Sequence, residues 1–311
     1  MNNFDLNVEY IKNVNLSDYT YTQTGGITPL MLFPKNIVEL KKIILWLREK
    51  KLKYVILSGM TNIAVASGIL DFIVINMSNF NVSDPLWDDR GFLKVSASFE
   101  MKKLATWTIE RDVQGLAWME GIPGTVGAGI YMHAGFLLGQ DMQTYLVDAE
   151  YLDLNDMQVK IITNQELQFR YRFSKFQEMN AIVLGGSFLL HKIPDDWKKP
   201  FRRMKYKKLM SSYHDRRIRN QPIDFPSAGT VFVPPYPFHV GGLLREMNLV
   251  GYRIGGAQIS TKSPGFIIGV DNMTGEDYYK MVVYIQQRIK SEYDIDLIPE
   301  VRLFGFDSEN N

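Results

Sequence analysis

Nine consecutive residues, Gly121-Ile122-Pro123-Gly124-Thr125-Val126-Gly127-Ala128-Gly129, restrict the fold more than any other part of this chain. Four are glycine and one is proline, the two residue types least suited to a helix interior. The stretch is therefore predicted not to be a regular helix. Glycines at this density give a loop whose bare backbone approaches a ligand closely and turns N–H groups toward its oxygens. Taken alone, the same pattern is also open to a tight structural turn.

The flanks mix helix and strand. Asn36 is placed to cap a helix, Glu39 follows three residues on, and Leu40, Ile43, Ile44 and Leu47 share one face. Lys53 to Leu57 and Phe72 to Ile75 read as buried strands. The first ends on Ser58-Gly59-Met60-Thr61-Asn62, and a loop in that place is where nucleotide phosphates usually bind. Further strands are expected at Phe92 to Ser96, Leu146 to Leu152, Ala181 to Leu190 and Gly265 to Val270. Ser98 opens a helix carrying Leu104 and Trp107, and Thr274 caps one bearing Met281, Val282, Ile285 and Ile289.

Between Lys198 and Arg219 lie ten Lys and Arg and one acid. A solvated helix face is expected there, with Met204, Leu209 and Met210 as the core stripe and phosphate contacts near Arg216 to Arg219 as a second option. Gln221 to Pro237, rich in proline and turn residues, marks a domain junction.

Charge narrows the function. Thirty-five Lys and Arg against 34 Asp and Glu leave a net charge of +1, which argues against a surface committed to nucleic acid or anionic lipid. The chain has no cysteine, so disulfides, thiolate nucleophiles and cysteine metal sites are excluded, and no metal site is expected. The N-terminus shows no secretory signal. The most apolar window, Val55 to Asn76, is interrupted by Ser58, Gly59, Thr61, Asn62, Gly68 and Asp71. A cytoplasmic protein without a membrane span is expected.

Five collinear segments carry a family resemblance. They are Thr24-Gly25-Gly26 with Pro34; Gly115 to Gly127 followed by Tyr131-Met132-His133-Ala134-Gly135; Phe169-Arg170-Tyr171-Arg172-Phe173-Ser174; Gln221-Pro222 through Pro226-Ser227-Ala228-Gly229-Thr230-Val231-Phe232; and Leu297-Ile298-Pro299-Glu300-Val301. In this order they resemble the UDP-N-acetylenolpyruvoylglucosamine reductase (MurB) family, in its shorter branch. The resemblance runs from about Thr24 to Gly305.

That resemblance implies an α+β fold. A two-part FAD-binding region of the MurB and vanillyl-alcohol-oxidase type, at 1–80 and 81–214, precedes a C-terminal α+β substrate domain at 215–305 and a tail at 306–311. It implies an FAD oxidoreductase in which NADPH reduces the flavin and an enolpyruvyl ether on a sugar nucleotide is then reduced to a lactyl ether. Gly59, Thr61, Asn62, Gly121, Ile122, Pro123, Gly124, Thr125, Gly127, Ala134 and Gly135 are the cofactor-binding positions it implies. With no cysteine for a thioether link, FAD is expected to be non-covalent. Tyr171 and Gln258 are the implied substrate contacts. The implied catalytic residues are Arg172, Glu300 and Thr230. A guanidinium forms paired hydrogen bonds to the enolpyruvyl carboxylate. Glu300 stabilises the charge that develops beside it if burial keeps it protonated enough to donate, and Thr230 supplies the proton. The same three side chains are open to structural roles, as an ion-pair partner, a solvated strand residue and a turn residue.

The chain departs from the family in three places. Thr230 stands where serine or cysteine is usual, and its extra methyl is expected to point into the substrate pocket. Ser58 and Met60 replace glycines. Val233-Pro234-Pro235 replaces residues suited to diphosphate, Gln258-Ile259-Ser260-Thr261-Lys262-Ser263 has serine where histidine is common, and Gly269 stands where asparagine is common. Three readings are open on these grounds: a reductase for an altered enolpyruvyl sugar nucleotide, the ordinary cell-wall enzyme, and a catalytically silent flavin- or partner-binding paralogue. Oligomeric state is not readable from the sequence.

Overall fold

The computed structural model describes residues 6–137, 139–192 and 199–306, so the end of the expected tail lies outside the described residues. The chain forms two compact units. Met1–Tyr10, Leu32–Gly59 and Val74–Arg216 make the first, and Ile11–Met31, Met60–Ile73 and Arg217–Asn311 the second.

In the first unit, helix α1 (Ile37–Glu49) starts as its sequence requires. The Asn36 side chain accepts from the Glu39 N–H at 3.0 Å, and Leu40, Ile43, Ile44 and Leu47 are buried. The strands Tyr54–Leu57 and Ile73–Asn76 follow, as neighbours in one sheet. The centre of the unit is a five-stranded antiparallel sheet, ordered Val159–Thr163, Leu146–Asp153, Ala181–Leu189, Phe92–Ser96, Leu86–Trp87. Helices α2 (Met101–Glu110), α3 (Val126–Tyr131) and α4 (Met142–Tyr145) are its short helices. Leu93, Val95, Leu104, Trp118, Ile130 and Phe188 belong to one core.

Three expectations are corrected here. The glycine-rich stretch does contain a helix, because α3 includes Gly127 and Gly129. Thr125 caps it, and close packing decides against glycine's poor propensity. A Cβ on Gly127 would lie 2.6 Å from Ala97 Cβ, and one on Gly129 would lie 2.4 Å from Met142 Cε. Ser98 does not open α2; its hydroxyl donates to the Phe80 carbonyl at 2.6 Å, and the helix begins three residues later. Helix α5 (Lys199–Asn220) forms over the basic run, but Met204 and Leu209 are 48% and 39% exposed. Of the expected stripe only Met210 packs on the core, and Tyr206 and Tyr213 join it there in place of Met204 and Leu209.

The second unit contains an antiparallel sheet ordered Ser227–Thr230, Phe266–Gly269, Ala257–Ile259, Arg253–Ile254. A separate parallel pair joins Ile63–Val65 to Arg302–Phe304. Helix α6 (Val240–Glu246) is short, and α7 (Gly275–Tyr293) is the main helix. Thr274 and Asp277 form a reciprocal capping box at its start. Met281, Val282, Ile285 and Ile289 bury its inner face, each contributing about 1.5–3 kcal/mol by leaving water. Gly275 lets the first turn press on the strand Ile63–Val65, since a Cβ there would lie 2.1 Å from the Val65 carbonyl oxygen.

Candidate active site

The implied site residues fall into two groups, one in each unit. In the first, the loop ending the strand Tyr54–Leu57 meets the glycine-rich stretch backbone to backbone. A Cβ on Gly59 would lie 2.9 Å from Gly124 Cα, and Gly124 itself has φ +112°. No side chain can stand on Gly59 at that seam, so the two loops meet as bare backbone. Thr125 locks it: the hydroxyl donates to Ser58 Oγ at 3.1 Å and accepts from the Ala128 N–H at 3.5 Å. The serine that departs from the family pattern is thus used to join the two loops.

Several N–H groups of the stretch serve the fold. Ile122 donates to Met119, Val126 to Phe99, Gly127 to Ala97, and Ala134 to Gly129, all through main-chain carbonyls. Gly121 packs against Phe136, where a Cβ would come within 3.3 Å of the ring. The glycines are therefore required by packing as much as by close approach of a ligand. Pro123 is half-buried beside them.

Arg172 lies at the tip of a tight hairpin. Arg170 and Phe173 exchange both backbone hydrogen bonds at 3.0 Å, leaving Tyr171 and Arg172 as the turn. Arg172 has φ +54° and His133 φ +49°, a left-handed conformation uncommon outside glycine. The two residues are cross-tied. The Arg172 guanidinium donates to the carbonyls of His133 and Gly135, each at 3.2 Å. The His133 ring returns an Nδ1–H to the Arg170 carbonyl, which can only accept, so that nitrogen carries the proton. Gln177 donates to the Arg172 carbonyl at 2.9 Å, and Ser174 to Tyr131 at 2.7 Å. Strain of this kind, about 1–3 kcal/mol per residue, persists only where surrounding contacts over-determine it. The clasp fastens Arg172 to the segment carrying Ala134 and Gly135, two of the implied cofactor contacts. Tyr171 is 54% exposed, with the Arg172 guanidinium 5.0 Å from its ring centre.

In the second unit, strand pairing sets Val231, the neighbour of Thr230, against Glu300. The Glu300 N–H donates to the Val231 carbonyl at 2.8 Å, and Val233 donates to Ile298 at 2.9 Å. Phe232 and Pro299 form the bridge between them. On the other side Val231 donates to Gly265 at 3.0 Å. A Cβ on Gly265 would lie 3.4 Å from Thr230 Cγ2, so the threonine methyl stands over a glycine.

Asn62 Nδ2 donates to the Glu300 carbonyl at 3.0 Å, and Arg302 N–H to the Asn62 carbonyl at 3.0 Å. Asn62, expected among the cofactor contacts, thus clamps the glutamate strand, and Thr61 precedes it half-buried. Met60 takes φ +48°, the conformation that makes glycine natural there, yet it is only 5% exposed. Its side chain packs inward. Gln258 donates to the Gly251 carbonyl at 3.0 Å. Gly255 and Gly256 are explained by α7: Asp277 accepts from Gly256 N–H at 3.2 Å and would collide with a Cβ on Gly255.

His133, Ser58 and Gly265 went unrecognised as supports of the site. Each acts through a contact between segments far apart in sequence.

Comparison with known proteins completes the description. A family model of the FAD binding domain matches residues 28–156. A model of the UDP-N-acetylenolpyruvoylglucosamine reductase C-terminal domain matches 221–304. The UDP-N-acetylenolpyruvoylglucosamine reductase of Limosilactobacillus reuteri is 33% identical over 98% of either chain. That of Enterococcus faecalis is 32% identical over 93% of this chain and 92% of its own. The crystal structure of the Thermus caldophilus reductase superposes with a TM-score of 0.74 at 25% identity, covering 96% of this chain and 98% of that one.

Proposed function

We propose, for a chain that belongs to the UDP-N-acetylenolpyruvoylglucosamine reductase family, the FAD-dependent, NADPH-driven reduction of an enolpyruvyl ether on a UDP-sugar to its lactyl ether. The observation that carries this reading is that the strand bearing Thr230 pairs with the one bearing Glu300, the Glu300 N–H donating to the carbonyl of Val231 beside Thr230, which brings the two implied catalytic segments together.

The residues present fit the cofactor. Bare backbone where Gly59 meets Gly124 supports FAD at that seam, with Gly121, Ile122, Pro123, Thr125, Gly127, Ala134 and Gly135 as the contacts of the same unit; Thr61 is the further implied contact. FAD, when bound, would supply the two-electron redox chemistry between NADPH and the enolpyruvyl group. The protein handles the charge and proton that follow. Arg172, held by its carbonyl clasp, neutralises the enolpyruvyl carboxylate. Glu300, in its protonated form, donates a hydrogen bond toward the negative charge developing on the adjacent carbon. Thr230 donates its hydroxyl proton to that carbon and is reprotonated from solvent. Its methyl over Gly265 fixes the rotamer. Tyr171 and Gln258 contact the sugar nucleotide. The flavin region at 1–80 and 81–214, the substrate region at 215–305 and a cytoplasmic location belong to the same proposal. Among the described residues no helix is long and apolar enough to cross a membrane.

A second reading concerns the sugar nucleotide. Val233-Pro234-Pro235 offers neither charge nor, at its prolines, an N–H, and the Val233 N–H is taken by Ile298. Each missing charged hydrogen bond lowers affinity by about 1.5–3 kcal/mol, which favours a substrate with a different diphosphate contact. Product analysis decides. UDP-N-acetylenolpyruvoylglucosamine should be converted to its lactyl ether with one NADPH consumed per product. Conversion only with a different enolpyruvyl sugar supports the second reading, and conversion of neither refutes the reductase assignment.

A further inference from the structure

His133 is a buried residue that no step of the proposed reaction uses. It is 8% exposed and stands at φ +49°, a conformation that asparagine and glycine adopt more readily. Its imidazole grips the 170–173 hairpin at the strand that enters the turn. The ring packs against Phe169, with centroids 4.7 Å apart, and its Nδ1–H donates to the Arg170 carbonyl. Arg172 then returns its guanidinium to the His133 carbonyl at 3.2 Å.

These links close a ring. It runs from the His133 side chain through the Arg170 carbonyl, along the turn to Arg172, and back through the guanidinium to the His133 main chain. In a closed set of bonds each member limits the freedom of the others, and removing one slackens the rest. Ser174 and Gln177 donate to the Tyr131 carbonyl at 2.7 Å and 3.1 Å, and so secure the strand that leaves the turn. His133 secures the one that enters it.

The imidazole is not what the backbone favours. Asparagine would accept the same φ and could donate to the same carbonyl. The ring also leaves its Nε2 buried with no hydrogen-bond partner among the described residues, the Asp141 Oδ1 being 3.8 Å away, beyond hydrogen-bond range. What only the ring supplies is a flat face against Phe169 combined with a donor at fixed reach.

We propose that His133 is a positioning residue for Arg172: by fixing the strand that enters the turn, it sets where the guanidinium meets the carboxylate of the enolpyruvyl group. The inference rests on the role given to Arg172 above.

The test uses His133→Gly and His133→Asn in the full FAD-loaded chain. Both replacements accept φ +49°, so the backbone is spared; glycine deletes ring and donor, whereas asparagine keeps a donor. His133→Gly should raise about tenfold the concentration of UDP-N-acetylenolpyruvoylglucosamine that half-saturates flavin reoxidation. Bleaching by NADPH at saturating FAD should keep its wild-type rate. His133→Asn should recover most of the loss. Added to Arg172→Lys, His133→Gly should cost little more, because the imidazole acts only through the arginine. Wild-type half-saturation in His133→Gly, an asparagine variant no better than the glycine one, equal slowing of both half-reactions, or additive losses in the double variant would overturn the proposal. If Arg172→Lys itself reoxidises with wild-type kinetics, the role of Arg172 fails, and this inference falls with it.

Discussion

The two groups of candidate residues, one in each unit, hold their functional side chains by different means. In the first unit Arg172 is fixed by a clasp of side-chain-to-backbone bonds, running both ways between the hairpin at 170–173 and the segment at 133–135. Two left-handed residues are stabilised by it. In the second unit the strands that carry Thr230 and Glu300 are joined by a ladder of main-chain bonds, through Val231, Val233 and Ile298. A clasp of side chains depends on individual residues. A main-chain ladder tolerates substitution, so replacing a side chain on it tests chemistry with little disturbance of position. Variants in the second unit should therefore report on function, and most variants in the first on structure as well.

The largest effect is expected at Thr230. Thr230→Val keeps the shape and the methyl over Gly265 but has no proton to give. It should slow reoxidation about 10²–10⁴-fold, whereas Thr230→Ser should retain or raise the rate. Stopped-flow absorbance of the flavin separates the outcomes, and a Thr230→Val protein as fast as wild type removes the proton-donor role.

Glu300→Gln and Arg172→Lys should each cost about 10²–10³-fold in reoxidation, roughly 3–4 kcal/mol, with flavin bleaching by NADPH nearly normal. Here the comparison of halves sharpens. Lysine lacks the fork that reaches both the His133 and Gly135 carbonyls, so Arg172→Lys should also lower the melting temperature, while Glu300→Gln should not. Equal thermal losses in both variants would erase the distinction drawn between clasp and ladder.

Met60 gives a smaller effect whose sign is decided by magnitude. Met60→Gly relieves a left-handed backbone strain of about 1–2 kcal/mol. It also removes a buried side chain, and truncating a buried methionine costs about 2–5 kcal/mol. Burial wins, and chemical denaturation should show a net loss of stability despite the restored family glycine. A gain would mean that strain outweighs packing.

The smallest effect is expected at Thr125. Thr125→Ala removes the cap of α3 and the bond to Ser58, worth about 1 kcal/mol, and Thr125→Ser should restore most of it. Thermal melts of the flavin-free protein measure this directly.

Local chemistry was legible in the sequence; pairings between distant segments were legible only through the family motifs. The caps at Asn36 and Thr274, and the buried faces that follow them, stand in the structure as read, because capping and helical periodicity are decided within a few residues. The helix inside the glycine-rich stretch was missed, since Ala97 and Met142, which require glycine at 127 and 129, lie outside any local window. The core face of α5 was misread because Tyr206 and Tyr213, amphipathic residues, bury where Met204 and Leu209 do not. Likewise Gly265 under the Thr230 methyl, and the short strand Ile63–Val65 paired with Arg302–Phe304, follow only from tertiary pairing.

The central claim is that this chain carries electrons from NADPH through FAD to an enolpyruvyl UDP-sugar, and one anaerobic spectrum followed in time tests it. The purified protein should be yellow, or become so with FAD. NADPH should bleach it, and UDP-N-acetylenolpyruvoylglucosamine should then restore the oxidised flavin spectrum, with all the flavin released on denaturation. Protein that stays colourless after incubation with FAD, or a bleached flavin that no enolpyruvyl sugar nucleotide reoxidises, would contradict the account.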